Sequence, residues 1–147
     1  MRLYVGSDHA GVELRDILAA LATDSGWEVA KRLGPARADE RVDYPDVAHE
    51  VCAALERDPQ ALGLLVCGTG QGMAMTANRH PGIRAAVCAD TFSARMARAH
   101  NDARVLCLGE RVVGAGLAGE ILRAFLSGSF EGGRHARRVA KIEPAGG

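Results

Sequence analysis

The stretch Leu62-Gly-Leu-Leu-Val-Cys-Gly-Thr-Gly-Gln-Gly-Met73 constrains this chain more than any other. Leu62, Leu64, Leu65 and Val66 belong to a continuous apolar run, not an alternating one, and the run stops at turn residues. That is the pattern of a short strand buried on both faces, as in a parallel sheet covered by helices. Gly68, Gly70 and Gly72 then allow a tight turn, and residues 73–78 continue with helical character. Such a turn carries converging N–H groups into a helix N-terminus, where they lack intrahelical partners and the helix dipole adds partial positive charge. It suits an anion or a developing oxyanion, with Cys67 at its rim. Taken alone, the turn serves equally well as a plain strand-to-helix connection. No Gly-Lys-Ser/Thr follows it and its spacing departs from the dinucleotide fingerprint, which leaves nucleotide binding a minor option.

The same alternation of short apolar runs and helical patterns extends along the chain. Residues 2–5 form a strand closed by Gly6, and Ser7 and Asp8 offer capping oxygens to a helix with Leu14, Ile17, Leu18 and Leu21 on one face. Residues 27–30 make a second strand, and residues 31–46, with Gly34, Pro35 and Pro45, read as a long surface loop that could wall a pocket. Pro45 suits the first position of a helix carrying Val47, Val51 and Leu55. Residues 83–88 are a fourth strand. Asp90 and Thr91 open a helix with Phe92, Met96 and Ala99 along one side, and His100-Asn-Asp102 closes it, with Asn101 suited to a left-handed cap. Residues 105–108 are a fifth strand, and a last long helix from about 115 to 127 shows Leu117, Ile121, Leu122 and Phe125 as its apolar side. Strands separated throughout by helices imply parallel pairing through right-handed crossovers. The expected fold is therefore α/β, a Rossmann-like three-layer sandwich with a five-stranded parallel sheet and helices on both faces. At 147 residues the chain suffices for one domain, 1–147.

Eighteen basic residues balance 18 acidic ones, so no overall field draws the chain to nucleic acid or an anionic membrane, and any anion recognition must be local. No apolar stretch reaches the length of a membrane span, and Met1 runs straight into a strand pattern without a leader, which predicts a cytoplasmic protein. The four cysteines lack paired metal-ligand spacing, so no metal is expected, and Cys52, Cys88 and Cys107 read as small buried apolar residues. Ligands of parallel sheets bind beyond the carboxyl ends of the strands. Asp8 and His9 follow strand one, Cys67 to Gly72 strand three, Asp90 strand four and Arg111 strand five. Each also has a plain reading: Asp8 as an N-cap, His9 as a solvent-facing residue, Tyr44 as packing. His100, in the last turn of its helix, is either structural or an acid–base group. If the tail around Arg134-His-Ala-Arg-Arg138 is helical, Arg134 and Arg138 share a face and Arg137 points elsewhere. That face is either a solvated basic surface or a two-armed grip on phosphate.

Several motifs together, in order and over nearly the whole chain, resemble the ribose-5-phosphate isomerase B family, the group that also holds galactose-6-phosphate isomerase subunits. They are Gly6-Ser-Asp-His-Ala-Gly11, Asp43-Tyr-Pro45, Cys67-Gly-Thr-Gly-Gln-Gly72, Ala77-Asn78, Gly82-Ile-Arg-Ala85, His100-Asn-Asp102, Gly109-Glu-Arg-Val-Val113 and Glu131-Gly-Gly-Arg-His135. The resemblance implies cofactor-free interconversion of ribose 5-phosphate and ribulose 5-phosphate. By motif, Cys67 is the base that moves a proton between C1 and C2, aided by a helix N-terminus that favours thiolate. Gly68, Gly70, Gln71 and Gly72 would hold the enediolate, Thr69 would assist proton movement between its oxygens, and His100 would open the furanose ring. Asp8 and Asn101 match contacts to sugar hydroxyls, and His9, Arg111, Arg134 and Arg138 match phosphate contacts. The resemblance also implies a homodimer, or a tetramer built from dimers, with sites shared between subunits, His100 and Asn101 coming from the partner. One branch of the family places a glutamate just after the glycine turn and lacks the cysteine; Met73 stands there, so the match is to the cysteine branch. Allose 6-phosphate, galactose 6-phosphate or another aldose phosphate could use the same chemistry. A non-catalytic sugar-phosphate sensor is the reading of another class, ranked last because both proton-transfer residues are present.

Overall fold

In the computed structural model, which describes residues 1–144, five parallel strands lie in the order β2-β1-β3-β5-β4. They are β1 Arg2–Ser7, β2 Glu28–Leu33, β3 Leu62–Cys67, β4 Ala85–Val87 and β5 Val105–Gly109. The helices between and after them are α1 Val12–Asp24, α2 Tyr44–Arg57, α3 Gln71–Ala77, α4 Thr91–Asn101, α5 Ala115–Leu126 and α6 Arg134–Val139, with one 3-10 turn at His9–Gly11. The expected α/β sandwich is the fold observed. α1, α4 and α5 cover one face, where Leu14, Leu18, Ala94, Ile121 and Phe125 pack on Leu3, Val5, Leu64 and Leu106. α2 and α3 cover the other, where Val47, Val51, Met73 and Ala77 pack on Leu65, Cys67, Val105 and Cys107. Every residue of β3 and β5 is buried, which explains their unbroken apolar sequence. Each large apolar side chain removed from water here contributes about 1.5–3 kcal/mol.

Register places the chemistry. Ser7 stands opposite Val66, and Cys67 opposite Gly109, so β1, β3 and β5 finish together at one edge of the sheet. The chain order reverses between β1 and β3, which is the switch point where crevices open in such sheets.

Four expectations differ from the structure. β2 continues through Lys31 and Arg32 to Leu33, where the charge suggested loop; as an edge strand it pairs on one side only and leaves those side chains in solvent. β4 is three residues long, shorter than the apolar run 83–88, and Asn78 extends its pairing by exchanging hydrogen bonds of 2.9 Å with both backbone groups of Ala85. Ile17, Phe92 and Leu117 are exposed, and α4 is buried instead through Ala94, Ala97 and Ala99, small residues that let it approach closely. Finally, Asn101 is the last helical residue of α4, and the left-handed cap is Asp102, with φ of 46°. Its carboxylate is held at 3.0 Å by both Arg84 and Arg98, which fixes an aspartate in a conformation it tolerates.

Candidate active site

The central turn is held by its own sulfur. Cys67, the last residue of β3, accepts a hydrogen bond from the Gly70 N–H at 3.1 Å and is 5 % exposed, among apolar side chains of α2 and α3 on one side and the turn on the other. Gly70 has φ of +81°, and a Cβ there would sit 3.1–3.2 Å from the Leu108 backbone, so a side chain is excluded both by conformation and by room. A Cβ on Gly72 would run into the Tyr44 ring. Tyr44, 41 % exposed, therefore lies flush on the turn. Thr69 and Gln71 are exposed at the lip, with the Gln71 N–H donating to Thr69 Oγ1 at 3.3 Å.

Around this turn the strand ends bring further groups. Arg111 donates its N–H to the Gly68 carbonyl at 3.0 Å, and its guanidinium lies 3.5 Å from where a Gly68 Cβ would stand. Asp8 is buried and caps the 3-10 turn by accepting from the Ala10 N–H at 3.0 Å. The Nδ1 of His9 lies 3.2 and 3.3 Å from the carbonyl and N–H of Val42, which ties the β2–α2 loop across the crevice. The buried Arg15 holds the other end of that loop through the carbonyls of Leu33 and Pro35. His9, Arg41, Val42, Asp43 and Asp46 line an open hollow of ≈ 440 Å³ here. A larger hollow of ≈ 860 Å³, lined by His80, Ile83 and Ile142 among others, contains none of the candidate residues.

Two more groups lie at the same edge: Ser7, expected to cap a helix, leaves that task to Asp8, and Glu110 is not among the candidate site residues of the sequence. The Ser7 hydroxyl and Glu110 Oε2 are buried without hydrogen-bond partners among the described residues. Burial, then the charges of Glu13 and Asp8, push the Glu110 carboxyl above its ordinary range, against the Leu14 N–H and Arg111, which lower it.

The remaining candidates lie elsewhere. α4 starts at the carboxyl end of β4 and runs back, so His100 and Asn101 reach the opposite edge of the sheet. The Asn101 carbonyl there accepts from Arg84, which precedes β4, at 3.0 Å. The tail joins them: the Glu131 N–H donates to the Ala99 carbonyl at 3.0 Å, and the imidazole of His135 stacks on that of His100 with centroids 4.1 Å apart and planes 10° from parallel. Arg134 and Arg138 stand exposed on α6, one helical turn apart. Burial, then the nearby charges of His100, Arg134 and Arg138, hold His135 below the usual imidazole value despite Glu131. The pairing of Glu131 and His135 with His100 spans more than 30 residues of sequence, so no local pattern announces it.

The chain thus gathers Asp8, His9, Cys67 to Gly72 and Arg111 at one end, and His100, Asn101, Arg134 and Arg138 at the other. By fold and crevice this is a doubly wound α/β enzyme domain with a polar shelf beyond its strand ends. Residues 3–142 match the Ribose/Galactose Isomerase family. Ribose-5-phosphate isomerase B of Escherichia coli is 41% identical over 141 residues, 96% of this chain and 93% of that protein. D-erythrulose-4-phosphate isomerase of Pectobacterium atrosepticum is 39% identical, over 97% of this chain and 93% of its own. The solved structure of ribose-5-phosphate isomerase B of Clostridium thermocellum superposes with a TM-score of 0.92 at 46% identity, covering 97% of this chain and 95% of that one. The chain belongs to the ribose/galactose isomerase family and is an isomerase. Among the described residues no helix is long and apolar enough to cross a membrane.

Proposed function

We propose that the chain interconverts ribose 5-phosphate and ribulose 5-phosphate through an enediolate, with Cys67 as the base. The observation that carries this reading is the sulfur at 3.1 Å from the Gly70 N–H, at the mouth of a turn too tight for side chains at 70 and 72. A thiolate there takes the proton from C2 of the open-chain aldose and returns it to C1. The negative charge that passes to O1 meets the backbone donors of Gly68 and Gly72 at the glycine turn, while the N–H groups of Gly70 and Gln71 are held on Cys67 Sγ and Thr69 Oγ1. Thr69, at the lip, moves a proton between O1 and O2. Arg111 and His9 at this edge, and Arg134 and Arg138 at the other, supply cationic or donor groups for the phosphate. Asp8 and Asn101 hold hydroxyls.

Ring opening falls to His100. Since it lies at the far edge of its own sheet, the reading requires a second copy whose α4 and α6 close over the Cys67 crevice, hence a dimer with two shared sites. Adding ribose 5-phosphate and following ketose formation tests the whole reading. Turnover is expected, and Cys67→Ala should abolish it together with solvent-proton exchange at C2. Absent turnover in the intact protein, or full activity in the variant, refutes the assignment. A relative acting, by its name, on a four-carbon phosphate makes chain length the open variable. Specificity constants for four-, five- and six-carbon phosphates decide it, and we expect the five-carbon sugar to lead.

A further inference from the structure

Outside the Cys67 crevice, one cluster of side chains offers unused chemistry. Nε2 of His135 lies 3.5 Å, and Nε2 of His100 3.7 Å, from the same oxygen of Glu131. Both separations exceed a hydrogen bond, so the carboxylate is not committed to either ring. The three ligand atoms lie within 4.8 Å of one another. A tetrahedral zinc with bonds of about 2.0–2.1 Å sets its ligand atoms about 3.3 Å apart, close to the two distances present. We infer that His100, Glu131 and His135 form a site for a divalent cation of the zinc type, and that filling it inhibits the enzyme by occupying the ring-opening imidazole. The inhibitory half rests on the role given to His100 above.

The geometry states what must move. Two parallel imidazoles direct their lone pairs along parallel planes, so one ring has to turn for both to reach a common ion. His135, with a side chain 9 % exposed, is the fixed anchor; the side chains of His100 and Glu131, 36 % and 58 % exposed, are free to swing onto the metal. Two nitrogens and one carboxylate oxygen suit a borderline cation such as zinc and suit magnesium or calcium poorly. Three protein ligands leave a fourth position for water. Exposed Arg134 and Arg138 oppose the positive charge, so the site binds more weakly than a closed four-ligand structural one.

Zinc chloride titrated into the full-length protein by calorimetry, without sugar, tests the site, and cobalt(II) absorption reports its geometry. One zinc per chain is expected. Glu131→Gln and His135→Gln should each weaken binding at least about tenfold, the lower range seen when a ligand's supporting partner is lost, while Cys67→Ser leaves it unchanged. Glu131 is exposed, so its variant keeps the test valid if His135→Gln fails to fold. No binding, binding unchanged in Glu131→Gln, or binding lost in Cys67→Ser alone overturns the site. Zinc should also inhibit ribose 5-phosphate turnover in parallel with its binding curve, and full turnover with the site filled overturns the inhibition. The role of His100 fails separately, if His100→Gln alone retains turnover of ribose 5-phosphate in metal-free buffer.

Discussion

Four free thiols in one small core should not behave alike. Burial pushes Cys52 up to about 12 and Cys88 up to about 11, with Glu56 and Asp90 adding to the effect, and burial drives Cys107 well above its ordinary value. Among the described residues only Cys67 receives an amide N–H on its sulfur, and it ends β3 at the glycine turn. Iodoacetamide at neutral pH, followed by peptide mapping, should label Cys67 first, and saturating ribose 5-phosphate should slow that labelling. Label on Cys52 or Cys88 ahead of Cys67, or no protection, defeats the assignment of the base. His100 has its own test. Erythrulose 4-phosphate has no hydroxyl that can close a five-membered ring on its C2 carbonyl, and its aldose isomer carries phosphate on the one oxygen that could, so neither needs ring opening. His100→Gln should lose about a hundredfold or more on ribose 5-phosphate, the usual worth of a general acid, while its rate on the four-carbon sugar stays near that of the parent. Equal losses on both would assign His100 another task. Glu110 predicts a pH effect on stability. Its folded value is raised, so below the ordinary carboxylate range folded and unfolded chains are both protonated and its favourable share is complete. As pH rises through the raised value the folded carboxyl ionises where burial and Glu13 oppose it, and that share is lost. Melting curves from about pH 4 to about pH 7 should show Glu110→Gln gaining on the parent as pH increases; a constant or shrinking difference contradicts this.

Among elements, the junction of β3, the glycine turn and α3 is where sequence and structure agree most closely. The continuous apolar run could only be a strand covered on both sides, and the structure buries all six residues of β3. Helix faces were less legible. The spacing of Ile17, Phe92 and Leu117 fits a buried stripe, yet periodicity does not say how near a helix comes to the sheet, and α4 comes near enough that alanines do the packing. The charge of Lys31 and Arg32 hid the edge strand β2, because one-sided pairing lets polar side chains remain wet. Tyr44 could be read as covering a site or as packing, and its contact with Gly72 joins α2 to the turn in a way no local pattern encodes. That contact is testable as a pair. Gly72→Ala alone drives a methyl into the Tyr44 ring and should cost about 1–3 kcal/mol of stability, as overpacking does. In the Tyr44→Ala background the same change should cost much less, read from urea midpoints of the four proteins in a double-mutant cycle. Additive costs would mean that ring and turn do not touch.

At the scale of the molecule, the candidate residues fall into two sets that one chain holds apart. Cys67 ends β3 at one edge of the sheet, and α4, 11 residues long and so about 16 Å from end to end, carries His100 and Asn101 back to the other. The sequence lists both sets side by side in its motifs, and only topology reveals that they face opposite ways. If two copies complete each other, each site of the dimer takes its sulfur from one chain and its imidazole from the next. Subunit mixing then follows from symmetry. Homodimers of Cys67→Ala and of His100→Gln should each fail on ribose 5-phosphate, because every site lacks one group. After subunits exchange, half the dimers are mixed, and a mixed dimer holds one site with both changes and one with neither. Activity should rise from near zero to about a quarter of the parent value, with the time course of exchange followed by mass spectrometry. A mixture that exchanges fully and stays inactive would show that thiol and imidazole serve the same site from one chain, or never meet on one sugar, and the shared-site arrangement would have to be abandoned.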